Sequence, residues 1–203
     1  MSEKVLNEGN KQHSVEEYLR AERANVSLSE FVNGKIMPKT NSNRWHSLIG
    51  TNIAIAAGSR LHGHKCDIYV GNMRVLLKNT RICYPDVVIV NGEPNFTDAN
   101  SDVLLNPAIV VEIFSSSTNS SSKTEKLESY LALDSIRECL LVKEDEMRVE
   151  HYSRQNAKQW IYRIYNERDD VVSLESINCK VSIQEIYANI KFRRAELSSK
   201  AVN

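Results

Sequence analysis

The sequence predicts a mixed α/β (α+β) fold: a mixed β-sheet flanked by helices, with an N-terminal hairpin and a C-terminal antiparallel meander. Three observations carry this. CYPDVVIV at 83–90 and PAIVVEIF at 107–114 are apolar with almost no alternation, as in strands buried on both faces. SNRWHSLIGTNIAIAAGSRL sets Trp45, Leu48, Ile49, Ile53 and Ala56 at helical spacing. Beyond residue 137, ECLLVK, MRVEHYSR, QWIYRIYN and VVSLES look like strands joined by polar turns.

In chain order, SVEEYLRAE starts a helix, because Ser14 and Glu17 have the spacing of a capping box. SEFVNGKIMPK reads as a hairpin whose Asn33-Gly34 turn needs positive φ. The helix carrying the Trp45 stripe follows, with Gly63 as its stop. CDIYVGNMRVLLKN gives two short strands around Gly71-Asn72, RICYPDVVIVNGEP gives another, and TDANSDVLLN reads as a loop. SSSTNSSSK is polar and low in complexity. It lies between a buried strand and a capped helix, so it reads as a functional loop rather than a linker. TEKLESYLAL is a helix, with Ser122 and Glu125 at capping-box spacing, and SIQEIYANIKF closes the chain as another. With no internal repeat or linker, one domain over 14–192 is expected, between flexible termini 1–13 and 193–203.

A chain of 203 residues is long enough for a substantial core. Its 26 basic and 26 acidic residues cancel, so no global field draws nucleic acid, and only a local cleft could do so. Cys66, Cys83, Cys139 and Cys179 form no CxxC pair and read as reduced core thiols. His62, His64 and Cys66 in HGHKC lack a fourth ligand, which disfavours zinc. A polar N-terminus and the absence of any apolar run near 20 residues point to the cytoplasm.

The chemistry lies in carboxylates set in apolar strands, where they cost free energy unless a cation meets them. Pro85 holds Tyr84 extended, so Asp86 starts its strand at a rigid point and projects toward an adjoining strand. Glu112 stands near the exit of IVVEIF, and Lys126 follows 14 residues later (126 − 112), in the first full turn of a helix capped by Ser122. Two carboxylates suit a hard divalent ion, and a lysine beside it suits phosphodiester hydrolysis. By residue type alone a structural reading competes on equal terms: Asp86 caps a turn and Glu112 pairs with an arginine.

YPDVVIV, LLNPAIVVEIFSSST and EKLESY, with VGNMRV, GEPNF, IRECLLV, RVEHY and INCKVSIQEIY in order and spacing, resemble the Uma2 family. This is a widespread bacterial group of proposed endonucleases with a PD-(D/E)XK core, and the likeness runs over 14–192. It implies a restriction-endonuclease-like fold and a Mg²⁺- or Mn²⁺-dependent endodeoxyribonuclease, with DNA as substrate. Asp86 would be the PD carboxylate, Glu112 the second, and the Ile113 carbonyl a further metal ligand. The standard lysine position is occupied by Phe114; in this family the lysine has moved to the next helix, here Lys126. His46 falls where similar proteins often have histidine. It reads either as an aid to the attacking water and partner of the site, or as the edge of the Trp45 stripe.

Departures from the family pattern are Ser116 for a proline, Ser122 and Thr124 for Asp and Gly, and Asn72 for an aspartate. Arg44, Arg60, Arg74, Lys78 and Arg81 either line a phosphate groove or form solvated charges, the latter for most of them. A homodimer is expected, because cutting both strands needs two sites about a twofold axis. The competing readings are an inactive nuclease-fold scaffold and a paired-acid glycosidase, which leaves Lys126 without a task.

Overall fold

The computed structural model describes residues 12–39, 42–78, 81–116, 118 and 120–192. Of the termini expected to be flexible, 1–11 and 193–203 lie outside the described residues, as do Ser117 and Asn119 of the serine loop.

The first elements are α1 (Val15–Ala24), the hairpin β1 (Ser29–Val32) and β2 (Lys35–Pro38), and α2 (Arg44–Leu61). Ser14 caps α1 with both arms of the capping box in place. The hairpin turns through Asn33 at φ 49° and Gly34 at φ 85°, the two positive values a type I′ turn demands. Asn43 caps α2 by accepting from the Trp45 and His46 N–H groups, and Gly63, at φ 82°, lies just beyond its C-terminus.

Next come β3 (Cys66–Val70), β4 (Arg74–Leu77), β5 (Arg81–Cys83), β6 (Val87–Asn91), β7 (Val103–Leu104) and β8 (Ile109–Phe114). The remainder is α3 (Ser120–Leu131), β9 (Glu138–Lys143), β10 (Val149–Asn156), β11 (Gln159–Tyr165), β12 (Val171–Leu174), β13 (Cys179–Ser182) and α4 (Ile183–Ile186). A six-stranded sheet runs β11-β10-β9-β8-β6-β3, antiparallel except for β8 and β9, which α3 joins as a parallel crossover. A five-stranded sheet runs β2-β1-β5-β4-β7, and β12 with β13 forms a separate ribbon.

Alternation decides which residues meet which layer. Val87, Ile89, Val111, Leu140 and Val142 pack against Ile49 and Ile53 of α2, the ribbon and α4. Val88, Val90, Val110 and Leu141 point the other way, onto Val75, Leu77 and Cys83 of the second sheet and Tyr130 of α3. The central strands are therefore covered on both faces, which explains their continuous apolar runs. Helix α1 seals the outer side of the second sheet through Tyr18, Leu19, Phe31 and Ile82. All four cysteines are free thiols on strands, three of them buried. Among the described residues no helix is long and apolar enough to cross a membrane.

The structure departs from the local sequence reading where long-range pairing takes over. RICYPDVVIV is two strands: Pro85 offers no N–H, and the chain leaves β5 in one sheet for β6 in the other. Gly71-Asn72 likewise connects different sheets rather than closing a hairpin. TDANSDVLLN contains β7, held parallel to β4 through Arg74–Val103 and Val75–Leu104 pairs. Helix α3 begins at Ser120, so Ser122 lies inside its first turn and Lys126 in its second. VVSLES leaves the meander to pair with CKVS, and SIQEIYANIKF holds only the one-turn α4, capped by Ser182 and Glu185.

Candidate active site

The β6–β8 register creates the site. Val87 pairs with Val111, so one further step sets Asp86 across from Glu112. The Asp86 N–H donates to the Val111 carbonyl at 3.0 Å, and the Ile113 N–H returns a bond to Asp86 Oδ2 at 2.8 Å. Oδ1 faces His46 Nε2 at 2.9 Å, from the first turn of α2, and Lys39 Nζ at 3.9 Å. The His46 contact lies off the angle of a well-formed hydrogen bond. Burial works to raise the Asp86 carboxyl, but His46, the Ile113 N–H and Lys39 outweigh it and hold the group below the usual range.

Glu112 is in the opposite state. Its Oε1 accepts from the Tyr130 hydroxyl and lies 3.0 Å from Lys126 Nζ. Burial pushes its carboxyl up to about 7, Lys126 pulls the other way, and the charges of Asp86 and Glu30 push it further. Lys126 serves two acids, with Glu30 Oε1 also at 3.0 Å. Burial acts against its ammonium, yet Glu112 and Glu30 prevail and raise its affinity for the proton.

The structure thus brings together Asp86, Glu112, Lys126 and His46, and adds residues that sequence reasoning missed. Glu30 of β1 holds Lys126 and accepts from the Tyr84 N–H at 3.3 Å. Lys39 bonds the Tyr84 and Gly71 carbonyls at 3.0 and 3.2 Å. Glu144 takes Asn43 Nδ2 at 2.8 Å and stands 3.7 Å from His46 Nδ1. Asp86 and Glu144 raise His46 against the effect of its burial. Tyr130, expected in the core, is buried there but aims its hydroxyl at Glu112.

These residues line a cleft of about 1040 Å³ between the hairpin, α3 and β8. A second cavity of about 680 Å³ lies on the other side of Asp86, between α2 and the Gly71-Asn72 turn. Of the five basic residues read as a possible phosphate groove, Arg81 lines the cleft, bonded to Ser129 and 3.8 Å from Glu125. Arg44 covers the Trp45 ring, Arg60 pairs with Glu185, and Arg74 with Asp102.

Among the described residues no cluster of three His, Cys, Asp or Glu side chains is set for a metal. Two facing carboxylates nevertheless fit a hard cation that keeps several waters, because Mg²⁺ sites often use only one or two carboxylates. Glu112 supports this fit: a buried acid sharing its one lysine with Glu30 is short of positive charge.

The chain has a mixed α/β fold with two sheets flanked by helices, in which two acids meet at strand ends beside a lysine. The Uma2 family model, described as "Putative restriction endonuclease", matches residues 15–184, and the chain belongs to that family. It is 30% identical over 146 residues to the uncharacterized protein sll1609 of Synechocystis, covering 71% of this chain and 82% of that one. It is 24% identical over 179 residues to slr1290 of the same organism, also uncharacterized, covering 88% and 93%. The crystal structure of a "putative nuclease belonging to DUF820" from Anabaena variabilis shares the fold, with a TM-score of 0.69 at 19% identity, over 86% of this chain and 97% of that one.

Proposed function

We propose that the chain is a metal-dependent endonuclease hydrolysing DNA phosphodiester bonds, with Asp86, Glu112 and the Ile113 carbonyl holding Mg²⁺ or Mn²⁺. The observation that carries this reading is the 3.0 Å contact of Lys126 with Glu112, directly across a strand pair from Asp86. When bound, the cation supplies a nucleophilic hydroxide and neutralises charge on a phosphoryl oxygen. The chain's own residues do the rest. The Ile113 N–H fixes Oδ2 of Asp86 and leaves Oδ1 for the cleft. Lys126 keeps its ammonium in a buried setting, where a positive charge beside a developing oxyanion is most effective. Glu30 and Glu112 orient that ammonium, and His46, braced by Glu144, positions Asp86.

Plasmid cleavage with Mg²⁺ or Mn²⁺ tests the proposal beside Glu112→Gln and Lys126→Ala. Metal-dependent nicking that both variants lose supports it, and nicking that survives Glu112→Gln refutes the assigned site. One observation favours a second reading, an inactive nuclease-fold binding protein: Lys126 is already engaged by two acids. That reading predicts no calorimetric Mg²⁺ site that vanishes in Glu112→Gln.

A further inference from the structure

The 680 Å³ cavity beside Asp86 has no task in the mechanism above. It shares Asp86, His46 and Ile113 with the catalytic cleft, so the Asp86 carboxylate stands on the partition between two cavities. A nucleic-acid chain whose reacting phosphate sits at Asp86 and Glu112 has this space open to a neighbouring nucleoside. Its two basic side chains, Lys39 and His46, both face Asp86, and the rest of the lining combines apolar Val26, Leu28 and Val70 with the hydroxyl groups of Ser47 and Thr51 and the amide of Asn72. Val26 is 98% exposed and Val70 50% exposed, although both are apolar and flank an acid site. Such a surface suits the face and edges of a nucleobase with its sugar, and the volume lies in the range of small-molecule pockets.

The charges point the same way. Proteins that grip duplex DNA do so by neutralising many phosphates with free lysines and arginines. Here most cations around the two cavities are engaged within the protein, and Lys35 of the hairpin is the exposed one. Lys39 is held by the Tyr84 and Gly71 carbonyls, Arg81 by Ser129, Lys123 by Glu150, and Lys126 by Glu30 and Glu112. The chain as a whole carries no net charge. Few phosphates can be neutralised here, so contacts with bases must supply part of the affinity. A base inside a duplex is stacked and paired, and can enter a side cavity only by leaving the helix, at a cost that an unpaired strand does not bear.

We infer that the cavity between α2 and the Gly71-Asn72 turn binds an unpaired nucleobase next to the reacting phosphate, so that the substrate is single-stranded nucleic acid. This rests on the nuclease reading of Asp86 and Glu112, and the test separates the two.

Fluorescence anisotropy with a short labelled single-stranded DNA and its matched duplex, in Ca²⁺ to prevent turnover, measures the preference directly. The single strand is expected to bind about tenfold tighter, the scale of accommodating one unstacked base. Thr51→Trp fills the cavity from an exposed position on α2 and should abolish that tenfold preference. Val26→Glu, at a fully exposed position on the rim, should weaken the single strand severalfold, so the result does not depend on one variant folding. Equal or tighter duplex binding, or single-strand affinity unchanged in folded Thr51→Trp, overturns the inference. Cleavage assays with Mg²⁺ run in parallel. Duplex cut as fast as single strand overturns the inference and leaves the nuclease standing. Tight single-strand binding that Thr51→Trp abolishes, with no cleavage at all, supports the cavity and sinks the nuclease.

Discussion

Two acids on neighbouring strands, Glu138 buried and Glu112 half-buried, meet opposite fates. Glu138 opens β9 and Glu112 lies near the end of β8; the strands run parallel, with Ile109 beside Glu138 and Glu112 beside Leu141, so the acids occupy opposite ends of one strand pair. Glu138 is fully served. Its Oε1 accepts from the Ser176 N–H and hydroxyl at 2.8 and 2.6 Å, and its Oε2 lies 2.7 Å from His151 Nε2. It is 2% exposed and lines neither of the cavities beside Asp86. Glu112 shares one lysine with a second acid, faces the charge of Asp86 and opens onto a cleft. The difference teaches what burial alone cannot. Glu138 has both oxygens bonded within the scaffold, whereas Glu112 is short of positive charge at the carboxyl end of its strand, where binding groups are often found.

The widest separation between the two should come from deleting Glu138. Glu138→Ala strands the Ser176 donors and His151 in a dry interior, and urea denaturation should register a loss of about 3–5 kcal/mol. A loss under 1 kcal/mol would erase the distinction. Next in size is Lys126→Ala, expected to lower cleavage by about 10²–10³-fold, the scale of losing one preorganised charge contact in a transition state. A folded variant with unaltered rate would move Lys126 into the scaffold class with Glu138.

The pH dependence is smaller and has a definite sign. The Glu112 carboxyl is raised from 4.5 to about 7 in the folded chain, so folded protein holds that proton more firmly than unfolded protein does. Its contribution to stability is full below about 4.5 and is lost as the pH rises to about 7, at no more than roughly 1.4 kcal/mol per pH unit. Relative to Glu112→Gln, the wild type should therefore lose stability across that window in metal-free denaturant titrations. Parallel curves for the two proteins would show that Glu112 carries no deficit. Smallest is Glu30→Gln, which removes one of two partners from Lys126 and should cost about tenfold in rate, the effect of an outer residue that orients a working one. A larger loss than for Lys126→Ala would give Glu30 a direct role.

How much of this was legible in the sequence depends on what set each feature. Asp86 and Glu112 stood out because a carboxylate in an apolar run is conspicuous in any context. Lys126 followed from the family resemblance, and its helix was visible although its start was not. Glu30, Lys39 and Glu144 could not be read. They reach the site because β1 pairs with β5 through Phe31–Ile82, and because the end of β9 meets the end of β8, where the Glu144 N–H bonds the Phe114 carbonyl at 3.0 Å. No local pattern encodes either pairing. β7 has two residues and β13 four, too short for periodicity to show. In SEFV Phe31 is buried and Glu30 lies on the other side of the strand, facing a partner that only the fold supplies.

The bend at Pro85 has a mechanical consequence. The chain passes between the two sheets there and at Gly71-Asn72, and Lys126 is clasped by Glu30 on one sheet and Glu112 on the other. The site thus lies on the seam between the two sheets, and Lys126 ties them together across it.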